Sequence, residues 1–165
     1  MIAVGDRVPS GTLRWKDGEG GVHAQDITER CAGRTVVLFG LPGAFTPTCD
    51  GAHLPGFIRV ADDLRGAGVD EIICLSVNDV HVMKLWGEQS GAEDAGIAML
   101  ADGDGSLARA MGLAWSNADV GFHDRSRRYA MLLVDGVVKV MHLDELGVCA
   151  VSTGEAMLED VKSAL

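Results

Sequence analysis

The side chain in this sequence with the clearest capacity for nucleophilic chemistry is a cysteine at the expected start of a helix. Cys49 follows an apolar run over residues 36–39, which predicts a buried strand, and a Gly/Pro turn over residues 40–43. Thr46 is a favourable N-cap, and Pro47 suits the first helical position because it needs no amide partner. Cys49 is then about the third helical residue, where unpaired N–H groups and the helix dipole favour the reactive thiolate.

A thiolate site needs cationic help, and the sequence has one dense basic cluster. Arg125, Arg127 and Arg128 run directly into an apolar segment over residues 129–132 that predicts a strand. Two explanations are open at this point. The cluster is either a solvated loop with a surface ion pair, or it places at least one guanidinium beside Cys49, where it would stabilise the thiolate and hydrogen-bond a bound oxygen ligand.

The elements that must position these residues follow from hydrophobic periodicity and turn signals. Residues 13–24 predict an N-terminal hairpin, and Asp135-Gly136 predicts a second hairpin near the end of the chain. The region 115–124 is expected to be irregular. Core strands are predicted at 35–39, 71–77, 97–100, 129–134 and 137–141, and helices at 57–64, 82–86, 106–111 and 152–165. This alternation predicts a single α/β domain over residues 1–165, with a mixed central sheet flanked by helices and an N-terminal β-hairpin extension.

Composition narrows the possible functions. The chain has 165 residues, is 47% hydrophobic and carries a formal charge of −10, which argues against nucleic acid and anionic membranes as partners. No apolar run approaches the roughly 20 residues of a membrane span, and no signal peptide is evident, so we expect a cytoplasmic protein. The four cysteines form no CxxC pair and no zinc-type cluster, and we expect neither a metal nor a cofactor.

Residues 42–49, PGAFTPTC, fit a PxxxTxxC pattern. Together with its surroundings this pattern resembles the peroxiredoxin family, in its type-II or five-type branch. The resemblance covers nearly the whole chain and is weakest at 13–30 and 140–152. The other segments that support the resemblance are Val4-Gly5-Asp6 and residues 38–47, 53–57, 74–79, 100–102 and 128–131.

The resemblance implies a thioredoxin-like fold and a thiol-dependent peroxidase that reduces hydrogen peroxide and organic hydroperoxides. Cys49 would be the peroxidatic cysteine, which attacks the O–O bond and becomes a sulfenic acid. The Thr46 hydroxyl would hydrogen-bond the peroxide oxygens, and Pro42 would shield the thiolate from solvent. Arg128 matches the catalytic arginine of the family and would hold both the thiolate and the leaving oxygen.

Three further residues are candidates for a supporting role: Thr48, His53 and Arg125. His53 lies one helical turn after Cys49 on the same face, so tuning of the site and simple packing are both open. Asp50 works against the assignment, because a carboxylate beside Cys49 disfavours a thiolate unless it points outward.

The thiol that reduces the sulfenic acid is not fixed by the sequence. Cys74 lies mid-strand in an apolar run. It is either a buried core thiol or a resolving cysteine, the role that the cysteine in this context has been assigned in some similar plant and bacterial proteins. Cys149 precedes the last helix, near the place where animal members of the branch carry their resolving cysteine. Cys31 has no role that the resemblance supplies. We expect an external reductant, glutathione with glutaredoxin or thioredoxin, with Cys149 as the internal alternative.

Phe45 and Trp86 are large apolar groups expected near the site. The resemblance implies a homodimer through this end of the molecule, and core packing is the competing explanation, above all for Trp86.

Two other functions stay open. A thiol–disulfide oxidoreductase would be expected to have a CxxC motif at the helix start, and Thr46 occupies the position of the first cysteine of that motif. A redox sensor or holdase would use oxidation of Cys49 to regulate an interaction.

Overall fold

A computed structural model describes residues 1–165 and centres on a seven-stranded mixed sheet in the order β2-β1-β5-β4-β3-β8-β9. A separate two-stranded hairpin is formed by β6 and β7. The strands are β1 (Thr12–Lys16), β2 (Val22–Asp26), β3 (Thr35–Leu41), β4 (Glu71–Ser76), β5 (Ala98–Ala101), β6 (Ala114–Asn117), β7 (Phe122–Ser126), β8 (Tyr129–Val134) and β9 (Val137–Leu143).

Five α-helices cover both faces of the sheet. They are α1 (Ile27–Cys31), α2 (Leu54–Gly66), α3 (Val80–Ser90), α4 (Ser106–Ala110) and α5 (Gly154–Ala164). A π-helical turn, Cys49–His53, precedes α2, and a short 3₁₀ turn, Ala118–Val120, joins β6 to β7. None of the helices combines the length and apolarity that crossing a membrane would require.

The position of strand β3 in the sheet explains why its residues are almost all apolar. Val37 and Phe39 belong to the core that α2, α3 and α5 cover, whereas Val36 and Leu38 belong to the core on the opposite face. Successive strand residues point to opposite faces, so a strand covered on both sides must be apolar throughout. This central strand leads directly into the segment that carries Cys49.

Most of the predicted elements are confirmed, including the mixed sheet flanked by helices. The N-terminal hairpin forms as β1 paired antiparallel with β2. The Asp135-Gly136 turn forms with φ of 50° and 73°, in the left-handed region that such a two-residue hairpin loop requires.

The expectation of irregular structure over residues 115–124 is wrong. Most of this region forms the β6–β7 hairpin, with Trp115 opposite Arg125 and Asn117 opposite Phe122. These strands are short, largely solvent-exposed and paired only with each other. Such strands have no need of the continuous apolar run that marks a core strand, so hydrophobic periodicity does not reveal them.

Candidate active site

The helical segment that carries Cys49 begins at Pro47, as predicted. The Asp50 amide donates to the Thr46 carbonyl at 2.8 Å, so the amide of Cys49, one residue earlier, is among the unpaired donors at the helix start. The capping role expected for the Thr46 side chain is wrong. Its Oγ1 instead donates to the Gly43 carbonyl at 2.7 Å and thereby holds the turn before the helix.

The first part of this helical segment is wider than an α-helix. Over Cys49–His53 the backbone is π-helical, and the Leu54 amide donates to the carbonyl of Cys49, five residues back. Pro55 follows within the first two positions of α2, where a missing N–H is tolerated. Cys49 and His53 are both almost completely buried, with 1% of their surface exposed.

The structure brings Cys49 and Arg128 into direct contact. Antiparallel pairing places Tyr129 of β8 opposite Gly40 of β3, so Arg128, one residue earlier, lies at the end of β3 where the Cys49 segment departs. Arg128 Nη2 donates to Cys49 Sγ at 3.3 Å. The arginine is 6% exposed, so its charge acts on the sulfur with little screening by solvent.

The second guanidinium nitrogen of Arg128 reaches His53. Nη1 lies 3.1 Å from His53 Nδ1, and His53 Nε2 lies 2.8 Å from the carbonyl of Ser152. A guanidinium can only donate, so Nδ1 is the acceptor and Nε2 carries the proton of a neutral imidazole. Burial, together with the positive charge of Arg128, lowers the pKa of His53 to about 3.

Behind His53, a buried carboxylate holds the chain that leads to the last helix. Asp144 Oδ2 accepts from Ser152 Oγ at 2.5 Å, and its two oxygens also accept from the amides of residues 150–152 at 2.8–3.2 Å. Burial opposes the charge of this carboxylate, but the hydrogen bonds from Ser152 and its neighbours outweigh burial and lower the pKa of Asp144. Arg127 is directed toward Asp144 and not toward Cys49, since its Nη2 donates to the Asp144 carbonyl at 3.1 Å.

The turn that covers Cys49 is held from two sides. Arg125 Nη1 donates to the carbonyl of Pro42 at 3.2 Å, and Asn78 Oδ1 accepts from the Ala44 amide at 2.9 Å. Gly43 makes room for this arginine, because a Cβ atom there would lie 2.8 Å from Arg125 Nη1. Phe45 adopts φ of 62°, a strained backbone conformation for a residue with a bulky side chain.

A pocket of about 370 Å³ opens onto Cys49. Its polar lining includes Thr46, Thr48 and Arg128, and its apolar lining includes three residues that the sequence analysis did not single out. They come from the β6–β7 hairpin: Trp115, Val120 and Phe122. Two aromatic side chains, in a stretch without a continuous apolar run, were the available signal.

Asp50 and Trp86 are paired with each other. The Trp86 Nε1 donates to Asp50 Oδ1 at 2.7 Å, so the carboxylate of Asp50, which is an exposed residue, is directed at the indole. The assignment of Trp86 to a dimer surface is wrong, because the residue is completely buried in the core of one chain. Phe45 lies over it, with ring centroids 6.2 Å apart, and stays 44% exposed.

The four cysteines are all free thiols. Cys74 is completely buried, and burial, followed by the charge of Cys49, raises its pKa well above the usual value. Cys149 is half-buried, and burial raises its pKa despite the opposing charge of Arg128. Cys31 is also buried in the core on the opposite face, with a pKa raised to about 11 by burial and by Glu71.

A buried thiol at a helix start, in contact with a buried guanidinium and open to a small pocket on a mixed α/β sheet, is an arrangement that suits a cysteine-based redox enzyme. Comparisons with known proteins define it further. The redoxin family model matches residues 3–158. The chain is 48% identical over 161 residues to peroxiredoxin-2E-2, chloroplastic, of Oryza sativa, covering 96% of this chain and 72% of that protein. It is 44% identical over 158 residues to peroxiredoxin-2B of Arabidopsis thaliana, covering 96% and 97% of the two chains.

Two solved structures of similar sequence also superpose closely on this chain. Reduced Prx3 of Vibrio vulnificus in complex with hydrogen peroxide superposes with a TM-score of 0.91 at 46% identity, covering 98% of this chain and 99% of that one. Peroxiredoxin 5 of Alvinella pompejana superposes with a TM-score of 0.84 at 32% identity, covering 99% of both chains.

The chain therefore belongs to the peroxiredoxin family. It has the thioredoxin-like fold predicted from the sequence, and it is a thiol-dependent peroxidase.

Proposed function

We propose that Cys49 is the peroxidatic cysteine and that Thr46, Arg128 and Pro42 complete the catalytic site. The observation that carries this proposal is the 3.3 Å contact between Arg128 Nη2 and Cys49 Sγ at the floor of the pocket. The thiolate attacks one peroxide oxygen, an S–O bond forms as the O–O bond breaks, and Cys49 becomes a sulfenic acid. The departing oxygen takes up a proton and leaves as water or an alcohol.

The buried guanidinium suits both ends of this reaction. Negative charge lies on sulfur at the start and on the departing oxygen at the end. Fixed donors along that line stabilise the transition state because they need no reorganisation as the charge moves. Arg128 supplies such donors from one side, and the unpaired amide at Cys49 supplies one from the helix start. Thr46 lines the same pocket, and because its hydroxyl proton is donated to the Gly43 carbonyl, its oxygen is available to accept from a peroxide O–H.

Pro42 and Arg125 have a shielding role in this proposal. Pro42 is buried, lines the pocket and contributes no amide donor that would bind water. Arg125 supports it through the bond to its carbonyl, and Thr48 forms part of the same wall.

We propose an external thiol as the reductant: glutathione with glutaredoxin, or thioredoxin. The burial of the internal candidates supports this choice. Cys74 has no exposed surface, and the raised pKa of Cys149 disfavours its thiolate. A half-buried Cys149 still leaves it as the internal alternative.

We propose a homodimer through the active-site end, now with Phe45 alone as the predicted contact. A phenylalanine that stays 44% exposed while its backbone is strained supports an interface there. In sedimentation, Phe45→Glu should shift the protein to monomers, with Leu85→Glu on the exposed face of α3 as a comparison. A Phe45→Glu variant that sediments like the parent would remove Phe45 from the interface.

We also propose a cytoplasmic location, supported by the four free cysteines, which suit a reducing compartment. A tagged protein found in a secreted or organelle fraction would contradict this.

Stopped-flow oxidation tests the central proposal. Reduced protein should consume hydrogen peroxide and an alkyl hydroperoxide much faster than free cysteine does, and Cys49→Ser should abolish turnover. Cys31→Ala, which removes a buried thiol on the other face of the sheet, is the matched control and should retain turnover. A Cys49→Ser variant with full turnover would end the assignment.

A further inference from the structure

The guanidinium of Arg128 is buried and charged, yet no carboxylate pairs with it. Its two terminal nitrogens reach Cys49 and His53, which are the side-chain partners that the structure gives it. A long side chain is held in one geometry only if its donors are fixed, and Cys49 is the group that reacts. The orientation of Arg128 therefore depends on His53.

We infer that His53 is a positioning residue for Arg128: its Nδ1 accepts from Nη1 and so keeps Nη2 directed at the sulfur of Cys49. This inference rests on the proposed roles of Cys49 and Arg128. A neutral acceptor is better suited to this task than a carboxylate. A carboxylate would hold the guanidinium equally well, but it would offset the positive charge that the thiolate needs.

His53 is itself fixed on the side away from Arg128. Its ring lies edge-on to Phe39 and Phe57, with centroids 5.2 and 5.6 Å away, which sets the plane of the imidazole. Its Nε2 proton is bound by the carbonyl of Ser152, and the Ser152 hydroxyl, also within 3.3 Å, is held by Asp144. This arrangement leaves Nδ1 as an acceptor directed at the arginine.

The charge state of the imidazole is consistent with this role. Protonation would turn Nδ1 into a donor and would place a second positive charge beside the guanidinium. Burial and Arg128 together keep the pKa of His53 near 3, so the acceptor persists through the neutral range. The charged and titratable groups that act on it are Arg128 on one side and Asp144 behind Ser152 on the other.

Three substitutions separate the effect of the Nδ1 acceptor of His53 from the effect of packing its ring. His53→Phe keeps an aromatic ring between Phe39 and Phe57 but removes both hydrogen bonds. His53→Asn places an amide oxygen near the position of Nδ1 and loses the bond to Ser152. His53→Gln reaches toward Ser152 and offers no acceptor at the Nδ1 position.

We expect His53→Phe and His53→Gln to slow peroxide oxidation of Cys49 by about 10- to 100-fold, the range for losing one hydrogen bond to a buried charge. His53→Asn should recover most of that loss, although its smaller side chain leaves a cavity and should lower the melting temperature more than His53→Phe does. A merely structural role would make the rates follow the melting temperatures. Alkylation by iodoacetamide, which follows the thiolate, should rank the variants as the peroxide rates do.

A double-mutant cycle tests whether His53 acts on the oxidation rate through Arg128. In an Arg128→Met background, His53→Phe should slow oxidation no further, because the guanidinium it positions is gone. The inference is overturned if His53→Phe oxidises as fast as the parent, if rates follow stability, or if His53→Phe is equally harmful without Arg128. None of these outcomes touches the proposed function, which fails separately if Cys49→Ser keeps its turnover.

Discussion

The indole Nε1 of Trp86 donates to the carboxylate of Asp50 at 2.7 Å, one residue after Cys49. This bond joins α3 to the π-helical turn and directs the negative charge of Asp50 at a donor on a neighbouring helix. A carboxylate in this position is therefore compatible with a thiolate site, because its orientation is fixed by a fully buried donor.

Removing that donor should destabilise the protein. We expect Trp86→Phe to lower the free energy of unfolding by about 1–3 kcal/mol, because a charge-assisted hydrogen bond is lost and the buried ring becomes smaller. Urea denaturation measures the change. In an Asp50→Ala background the same substitution should cost less, since only the ring volume is then lost. An equal cost in both backgrounds would show that the Asp50 bond contributes nothing.

Arg128→Lys should slow peroxide attack by about 100- to 1,000-fold, the range observed when one fixed donor to a developing anion is removed. A lysine keeps the positive charge but cannot contact Cys49 and His53 at once with a planar fork. Stopped-flow oxidation at fixed pH measures the rate constant. Arg59→Lys, at an exposed ion pair with Glu155, is the control for a conservative change elsewhere. A rate within a fewfold of the parent would show that charge alone suffices at this position.

His53 should make the protein less stable as the pH falls. Its pKa is about 3 in the folded state against an ordinary value of 6.5, so the unfolded chain binds one more proton throughout this interval. Stability therefore falls as the pH drops below 6.5, at a slope of at most about 1.4 kcal/mol per pH unit for one proton. Denaturation midpoints between pH 7 and about pH 5, compared between the parent and a His53 variant, isolate this effect, because the other four histidines are common to both proteins.

The substitution His53→Phe should flatten this pH dependence, whereas His81→Phe, at an exposed histidine, should leave it in place. An equal change of stability with pH in the parent and in His53→Phe would contradict the buried neutral state of His53.

Peroxide-treated protein without added thiol should carry a sulfenic or sulfinic Cys49 and no internal disulfide. The reason is that Cys74 is sealed in the core and Cys149 is half-buried with a raised pKa. Mass spectrometry of peptides distinguishes the products. A Cys49–Cys149 or Cys49–Cys74 linkage would show an internal resolving step, and Cys149→Ser would tell the two linkages apart.

The parts of the fold that the sequence predicts are those with a local signal. The Asp135-Gly136 turn needs positive φ at two successive residues, and few residue pairs adopt it readily. The strand over residues 35–39 is apolar because both of its faces are covered. Pro47 places the start of the helical segment correctly because a proline, which has no amide proton, is well tolerated at the first position of a helix.

The parts that were missed depend on contacts far apart in the chain. The Thr46 hydroxyl has two possible partners, the helix amides and the Gly43 carbonyl, and only the path of the turn decides between them. Asp144 has no local sequence signal, since its partners Ala150, Val151 and Ser152 are brought to it by the return of the chain toward α5. For Trp86 the sequence leaves a surface contact and core packing both open, and only the fold shows that the residue is buried and bonded to Asp50.

The π-helical turn has a consequence for how this site tolerates changes in chain length. Relative to an α-helix it accommodates one additional residue, and each residue of an α-helix turns the chain by about 100°. The turn thus sets the rotational phase between Cys49 and the core-facing side of α2. A chain shortened by one residue at the exposed Gly51 would bring Leu54 to the fourth position after Cys49, which is the spacing of an α-helical hydrogen bond, and the turn would close as an α-helix with Cys49 and α2 both in place. The additional residue is therefore absorbed within the five positions from Cys49 to His53, and the segments on the two sides of the turn keep the relation that a regular α-helix would give them.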